Sequence, residues 1–126
     1  MSNSGILSAY HQNSVQGASP IGLVVSLYDT ILRDFRRALD ALNRGDVETR
    51  VSELNHALTV IAHLKSILDF ERGADAARRF NNFYEVTRGM ILSVNVDASP
   101  AKLQKLIEMY SSMRQAWHQA ESQLPK

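Results

Sequence analysis

The sequence predicts an all-α fold, an antiparallel up-down four-helix bundle with an irregular N-terminal segment packing on it. Three observations carry the prediction. Apolar residues recur every three or four positions along four long stretches, the spacing that puts side chains on one face of a helix. Helix breakers are scarce, with three prolines and six glycines in 126 residues, and several stand where helices start or stop. One tripeptide opens two of the stretches, as Ala18-Ser19-Pro20 and Ala98-Ser99-Pro100. Long helices joined by short connections set sequential neighbours antiparallel, and four of them close a bundle.

The chain reads as a single domain over 1–126, with a cap segment at 1–18 and the bundle at 19–122. The cap segment has no charged residue, the first being Asp29. It is not a secretory signal, because polar residues from Asn3 to Gln16 interrupt any apolar run and no basic stretch precedes it. The first helix is expected at 20–43. Ser19 is its expected N-cap, and Pro20 gives up an N–H that would have no partner in the first turn. Asn43-Arg44-Gly45-Asp46 supplies a terminating glycine and a new N-cap aspartate, so the second helix is expected at 46–71. Arg72-Gly73-Ala74-Asp75 repeats that pattern and sets the third helix at 75–95. Its stripe is Ala76, Phe80, Phe83, Tyr84, Met90, Ile91 and Val94, with Thr87 inside it. The fourth helix is expected at 99–122, with Leu103, Leu106, Ile107, Tyr110, Met113, Trp117 and Ala120 on one face and Leu124 continuing it. At about 1.5 Å per residue the helices are roughly 30–36 Å long, an ordinary bundle height.

Composition narrows the function. Fourteen Lys+Arg against thirteen Asp+Glu leave a net charge of +1, no surplus for gripping a phosphate backbone, which speaks against a nucleic-acid partner. No apolar run approaches the roughly 18 residues of a membrane span, so no membrane insertion is expected. The absence of cysteine excludes disulfides, thiolate zinc sites and cysteine nucleophiles and suits a reducing cytoplasm.

The first two helices carry more apolar surface than a bundle helix needs. Beside the main face of the first, Leu23, Leu27, Ile31 and Ala38 widen the apolar arc to about 200°. In the second, Val60, Leu64 and Ile67 widen the seam of Val47, Val51, Leu54, Leu58, Ile61 and Leu68. Two accounts fit. Crowded helices bury their flanks against both neighbours and the N-terminal segment, or the surplus is a groove awaiting a partner, which residues 1–18 are able to cover.

Catalytic and metal patterns are incomplete. Glu53-Leu54-Asn55-His56 is one E-x-x-H, but a di-iron bundle needs a second and two more carboxylates, so no metal is expected. His63, with Lys65 two residues on, is a loose match to histidine phosphotransfer bundles, and a phosphotransfer relay is the alternative function. There is no glycine-rich phosphate loop or local nucleophilic triad, so no enzyme activity and no cofactor are expected. Tyr28, Tyr84, Tyr110 and Trp117 fall on helical stripes and read as core. Tyr10 precedes the first helix and must find its partner in a groove or on another protein.

Ala9-Tyr10-His11-Gln12-Asn13-Ser14-Val15, followed by Ala18-Ser19-Pro20, Leu23 and Leu27-Tyr28-Asp29, resembles the N-terminal signature of the flagellin-specific export chaperones, the FliS family. Ile61, Leu64, Leu68-Asp69 and Glu71 are similar to the end of that family's second helix. Ala77 with Phe83-Tyr84, and Met113-Arg114-Gln115-Ala116-Trp117, match later positions, so the resemblance spans the chain. Ser26, Thr30 and the single Gly73 depart from the common pattern, as does the compact Asn95-Val96-Asp97. The resemblance implies a cytoplasmic, non-enzymatic chaperone. It would bind the disordered C-terminal region of flagellin, prevent premature polymerisation and present the subunit to the cytoplasmic domain of the export gate. It also implies that the N-terminal segment, here Ile6, Leu7, Tyr10 and Val15, caps the binding surface, is displaced by the client and docks on the gate. Combined with the surplus arc, it makes Leu23, Leu27, Ile31, Val60, Leu64 and Ile67 the expected flagellin-binding groove.

Overall fold

The computed structural model describes residues 7–10 and 20–123, and within them four long helices run α1 (Pro20–Arg44), α2 (Val47–Ser66), α3 (Phe70–Asp97) and α4 (Pro100–Ser122). Leu7, Ser8 and Ala9 are also helical. α1 packs against α2 and α4, and α3 closes the other side against the same two helices. Cross-helix contacts fix the directions. Asp34 meets His56 and Arg37 meets Glu53, so numbers rise along α1 as they fall along α2. The same reversal sets Lys65 beside Glu85, Tyr110 beside Thr87 and Arg114 beside Asp29. Sequential helices are therefore antiparallel, and the fold is the expected up-down bundle.

Each described connection is built by its end residues. Gly45, at φ +74°, lets its own N–H and that of Asp46 turn back on the Leu42 and Ala41 carbonyls at 3.1 and 2.8 Å, closing α1. Asp46 then caps α2 by accepting from the Thr49 N–H at 3.1 Å. Ala98 takes the left-handed conformation at φ 51° to end α3, and the Ser99 hydroxyl accepts from Lys102 N–H at 3.2 Å to start α4. Asp46 and Asp69, each bonded to a first-turn amide, have carboxyls held below the usual range. The Ser19 cap expected for α1 lies outside the described residues, as does Leu124.

One expected boundary is wrong. The sequence sets the second helix at 46–71 and the third from 75, whereas α2 ends at Ser66 and α3 begins at Phe70. The reason is tertiary. Tyr10 and Leu68 form an antiparallel bridge, and the Asp69 N–H donates to the Ala9 carbonyl at 2.8 Å, so backbone that would continue α2 is engaged by the N-terminal segment. The Asp69 carboxylate then accepts from Arg72 N–H at 3.1 Å and starts α3 five residues earlier than the Gly73 pattern suggested. The Gly73 signal survives only as a kink at Ala74, with φ 36° and ψ −105° inside α3.

Gly73 has another use. A Cβ there would stand 2.6 Å from the Ala9 Cα and 2.7 Å from the Ser8 carbonyl oxygen, so only glycine lets the N-terminal segment lie this close to α3. Gly89, on the outer face of the same helix, would meet nothing within 4 Å. Opposite outcomes follow for one substitution. Gly73→Ala is expected to destabilise the fold by about 1–3 kcal/mol through overpacking, whereas Gly89→Ala should stabilise it by about 0.5–1 kcal/mol through helix propensity. Urea unfolding of both variants checks the pair, and equal shifts would contradict the close approach at Gly73.

Candidate functional site

The bundle interior is organised around aromatic rings from α1, α3, α4 and the N-terminal segment. Tyr10 is only 1% exposed although it precedes α1. Its ring lies edge-on to Trp117 of α4 at 5.3 Å and 6.4 Å from Phe80 of α3, and Phe80 in turn lies 4.9 Å from Trp117. Tyr28 of α1 joins the group at 6.4 Å from Trp117 and 5.4 Å from Tyr110. The partner that Tyr10 had to find is thus the protein's own core.

The hydroxyls form a chain whose direction follows from proton counting. Tyr10 donates its one proton to the Leu64 carbonyl at 3.1 Å, so at 2.8 Å from the Tyr84 hydroxyl it can only accept. Tyr84 therefore donates to Tyr10 and accepts from Tyr28 at 2.7 Å. A second branch runs beside it. Thr87 Oγ1 donates to the backbone carbonyls of Phe83 and Tyr84 at 3.0 and 3.2 Å, leaving Tyr110 to donate to Thr87 at 2.7 Å. Burial pushes all four tyrosine phenols well above their ordinary value, since a phenolate has no solvation here.

The sequence signatures converge on this cluster. Tyr10, Tyr28, Tyr84 and Trp117 are its members. Asp29, next to Tyr28, accepts from Arg114, one turn before Trp117, at 2.8 Å and ties α1 to α4 at the surface. Such an exposed pair is worth only about 0–1 kcal/mol, so it orients more than it stabilises.

Both polar residues of the E-x-x-H make helix-to-helix contacts. His56 Nδ1 lies 2.5 Å from the fully buried Asp34 carboxylate, and Glu53 pairs with Arg37 at 3.4 Å, so both ends of the E-x-x-H face α1. Among the described residues no three metal-ligating side chains gather. His63 is exposed on α2.

The six expected groove residues lie along the α1–α2 seam. Continuing the register of the Asp34–His56 and Arg37–Glu53 pairs sets Leu23 level with Ile67, Leu27 with Leu64, and Ile31 with Val60. Their accessibility differs. Leu23 is 47% exposed and Leu27 and Ile67 are half-buried, whereas Ile31, Val60 and Leu64 are in the core. Much of the surplus arc therefore packs inside the bundle. Of the cap residues, Leu7 packs on the core and Tyr10 is buried within it, while Ile6 and Val15 lie outside the described residues. Exposed apolar side chains that sequence reasoning missed cluster on α3, where Phe70, Val86, Leu92 and Val96 face outward. For Val86, Leu92 and Val96 the only sequence signal was their position off the Phe80–Tyr84–Ile91 stripe.

The family model for flagellar protein FliS matches residues 2–124, nearly the entire chain. This chain belongs to the FliS family. Curated relatives named flagellar secretion chaperone FliS include one from Campylobacter jejuni, 26% identical over 97% of this chain and 95% of the relative. Another from Salmonella typhimurium is 31% identical over 90% and 87%, and one from Vibrio cholerae 29% over 91% and 88%. The family is one of secretion chaperones, not of enzymes, which sets aside the phosphotransfer alternative. Among the described residues no helix is long and apolar enough to cross a membrane.

The buried phenols make an alkaline weakness. Above about pH 10 the unfolded chain releases tyrosine protons that the folded chain keeps, so stability is lost as pH rises, by up to about 1.4 kcal/mol per tyrosine per pH unit. Urea midpoints should stay level to about pH 9 and then fall steeply. Tyrosinate absorbance should appear only together with loss of helical circular dichroism; ionisation with the helices intact would contradict the buried chain.

Proposed function

We propose that this FliS-family chain is a cytoplasmic export chaperone that binds the disordered C-terminal region of flagellin, prevents its premature polymerisation and presents it to the cytoplasmic domain of the flagellar export gate. The observation that carries the reading is the N-terminal cap: a short segment held on the bundle by one buried tyrosine, bonded directly to Leu64 of the expected groove. The named role of the relatives as flagellar secretion chaperones supports it.

A client that is disordered when free must offset its own ordering on binding, which takes a large apolar surface. Leu23, Leu27 and Ile67 offer the accessible part, and departure of the cap adds the surface around Leu64, with Ile31 and Val60 forming the floor. Amphipathic turns of the client lie in this seam as helices in a groove. The exposed Phe70, Val86, Leu92 and Val96 extend the apolar surface for a client that wraps around the bundle.

Gate docking through the cap follows from the same arrangement. Tyr10 is inaccessible while seated, so its side chain becomes available to the gate only after the cap is released. Loading the client and docking are thereby coupled, and an empty chaperone does not compete for the gate.

Ile67→Asp and Leu27→Asp are expected to keep the helical signal, since both positions are half-buried, and to weaken binding of a flagellin C-terminal segment by at least about 100-fold, the effect of a charge left in an apolar contact. Calorimetry with flagellin and with flagellin lacking its C-terminus measures this. Unchanged affinity in both variants would remove the α1–α2 seam from the binding site, and binding that survives deletion of the C-terminus would overturn the client assignment.

A further inference from the structure

The pocket that holds Tyr10 is more specific than an apolar cleft. At its base are two polar groups of opposite character, the Leu64 carbonyl, which needs a donor, and the Tyr84 hydroxyl, whose oxygen already accepts from Tyr28 and whose proton needs an acceptor. Only a hydroxyl satisfies both with one atom. The walls are Trp117, presenting to the edge of the ring, and Phe80. At the mouth, Gly73 leaves room for backbone alone, the preceding Ala9 is fully enclosed, and Ala9 and Tyr10 are held in strand fashion against Leu68 and Asp69. The pocket therefore reads a pattern: a small residue, then a phenol, on backbone paired with the α2–α3 connection.

We propose that this pocket is an exchangeable binding site for a phenolic side chain, and that a tyrosine preceded by a small residue on a partner segment takes the place of Tyr10. An apolar occupant fills the walls but leaves the Leu64 carbonyl and the Tyr84 hydroxyl buried and unpaired, so phenylalanine, leucine and methionine are rejected. The seated Tyr10 is tethered, and its effective concentration excludes free small ligands from the intact chain. Exchange thus belongs to a partner that first gains contacts elsewhere on the bundle. The inference concerns the pocket and stands apart from the identity of the client.

The test uses the full-length Tyr10→Ala chain, whose vacated pocket is probed with p-cresol, toluene and the capped dipeptides N-acetyl-Ala-Tyr-amide, N-acetyl-Ala-Phe-amide and N-acetyl-Leu-Tyr-amide. The chain's single tryptophan, Trp117, reports occupancy by its fluorescence. p-Cresol is expected to bind at least about ten-fold more tightly than toluene, the scale of two buried groups left unpaired. Ala-Tyr should exceed both Ala-Phe and Leu-Tyr, and the unsubstituted chain should bind no p-cresol at concentrations that saturate the variant. Should the variant not fold alone, recovery of its helical circular dichroism with p-cresol and not with toluene is the expected result. Equal affinity for p-cresol and toluene, binding of p-cresol by the unsubstituted chain, or no binding and no recovery at all would overturn the proposal.

Discussion

The run of hydrogen bonds from Tyr28 through Tyr84 and Tyr10 to the Leu64 carbonyl is the constraint on which the rest of this bundle depends. Buried hydroxyls are costly when unpaired, so each ring must stand where its neighbour's proton can be used. Tyr28 fixes α1, Tyr84 fixes α3, Leu64 fixes α2, and Tyr10 ties the N-terminal segment to all three. Trp117 packs against the same rings and brings in α4. The polar line thereby sets the relative heights of α1, α2, α3 and the N-terminal segment, a specificity that interchangeable apolar side chains do not give.

This arrangement joins firmness to release. The helices are held by many large buried side chains, each worth roughly 1.5–3 kcal/mol. The described part of the N-terminal segment is only four residues, and its contacts include the Tyr10 side chain, the enclosed Ala9, the partly buried Leu7 and backbone contacts with Leu68 and Asp69. Regions with few buried contacts open at lower free energy than the core. A partner able to replace those contacts therefore exchanges with the cap while the bundle persists. The kink at Ala74 and the bare backbone at Gly73 lie on the helix where the cap rests, so α3 is shaped to receive it.

How much of this was legible depends on whether the cause was local. The glycine turn at Gly45, the caps at Asp46 and Ser99 and the stripes of α3 and α4 are decided by neighbours in sequence, and they were read within a few residues. The end of α2 was not, because the N-terminal segment ends it through contacts made some sixty positions away with Leu68 and Asp69. Gly73 carried a true signal with the wrong meaning, a close approach of two backbones in place of a helix stop. Tyr10 was singled out because it lay outside any helix, yet its burial required knowing that Tyr84, Trp117 and Leu64 meet in space. The surplus arc was visible, but periodicity does not tell a flank buried against a neighbour, such as Ile31 or Leu64, from one left open, such as Leu23. It also passed over Val86, Leu92 and Val96, whose exposure is set by where the other three helices stand.

The central claim, that the cap and the client occupy the same place in turn, is tested most directly at one amide. The Asp69 N–H donates to the Ala9 carbonyl at 2.8 Å across the contact between cap and bundle, so its hydrogen exchange reports on the seated cap. With a saturating flagellin C-terminal segment, the account predicts that the Ala9 and Tyr10 resonances shift to those of a released segment and that exchange at Asp69 changes, while the core amides of α1 and α4 stay protected. Unchanged exchange at Asp69 together with unmoved Ala9 and Tyr10 resonances would contradict it.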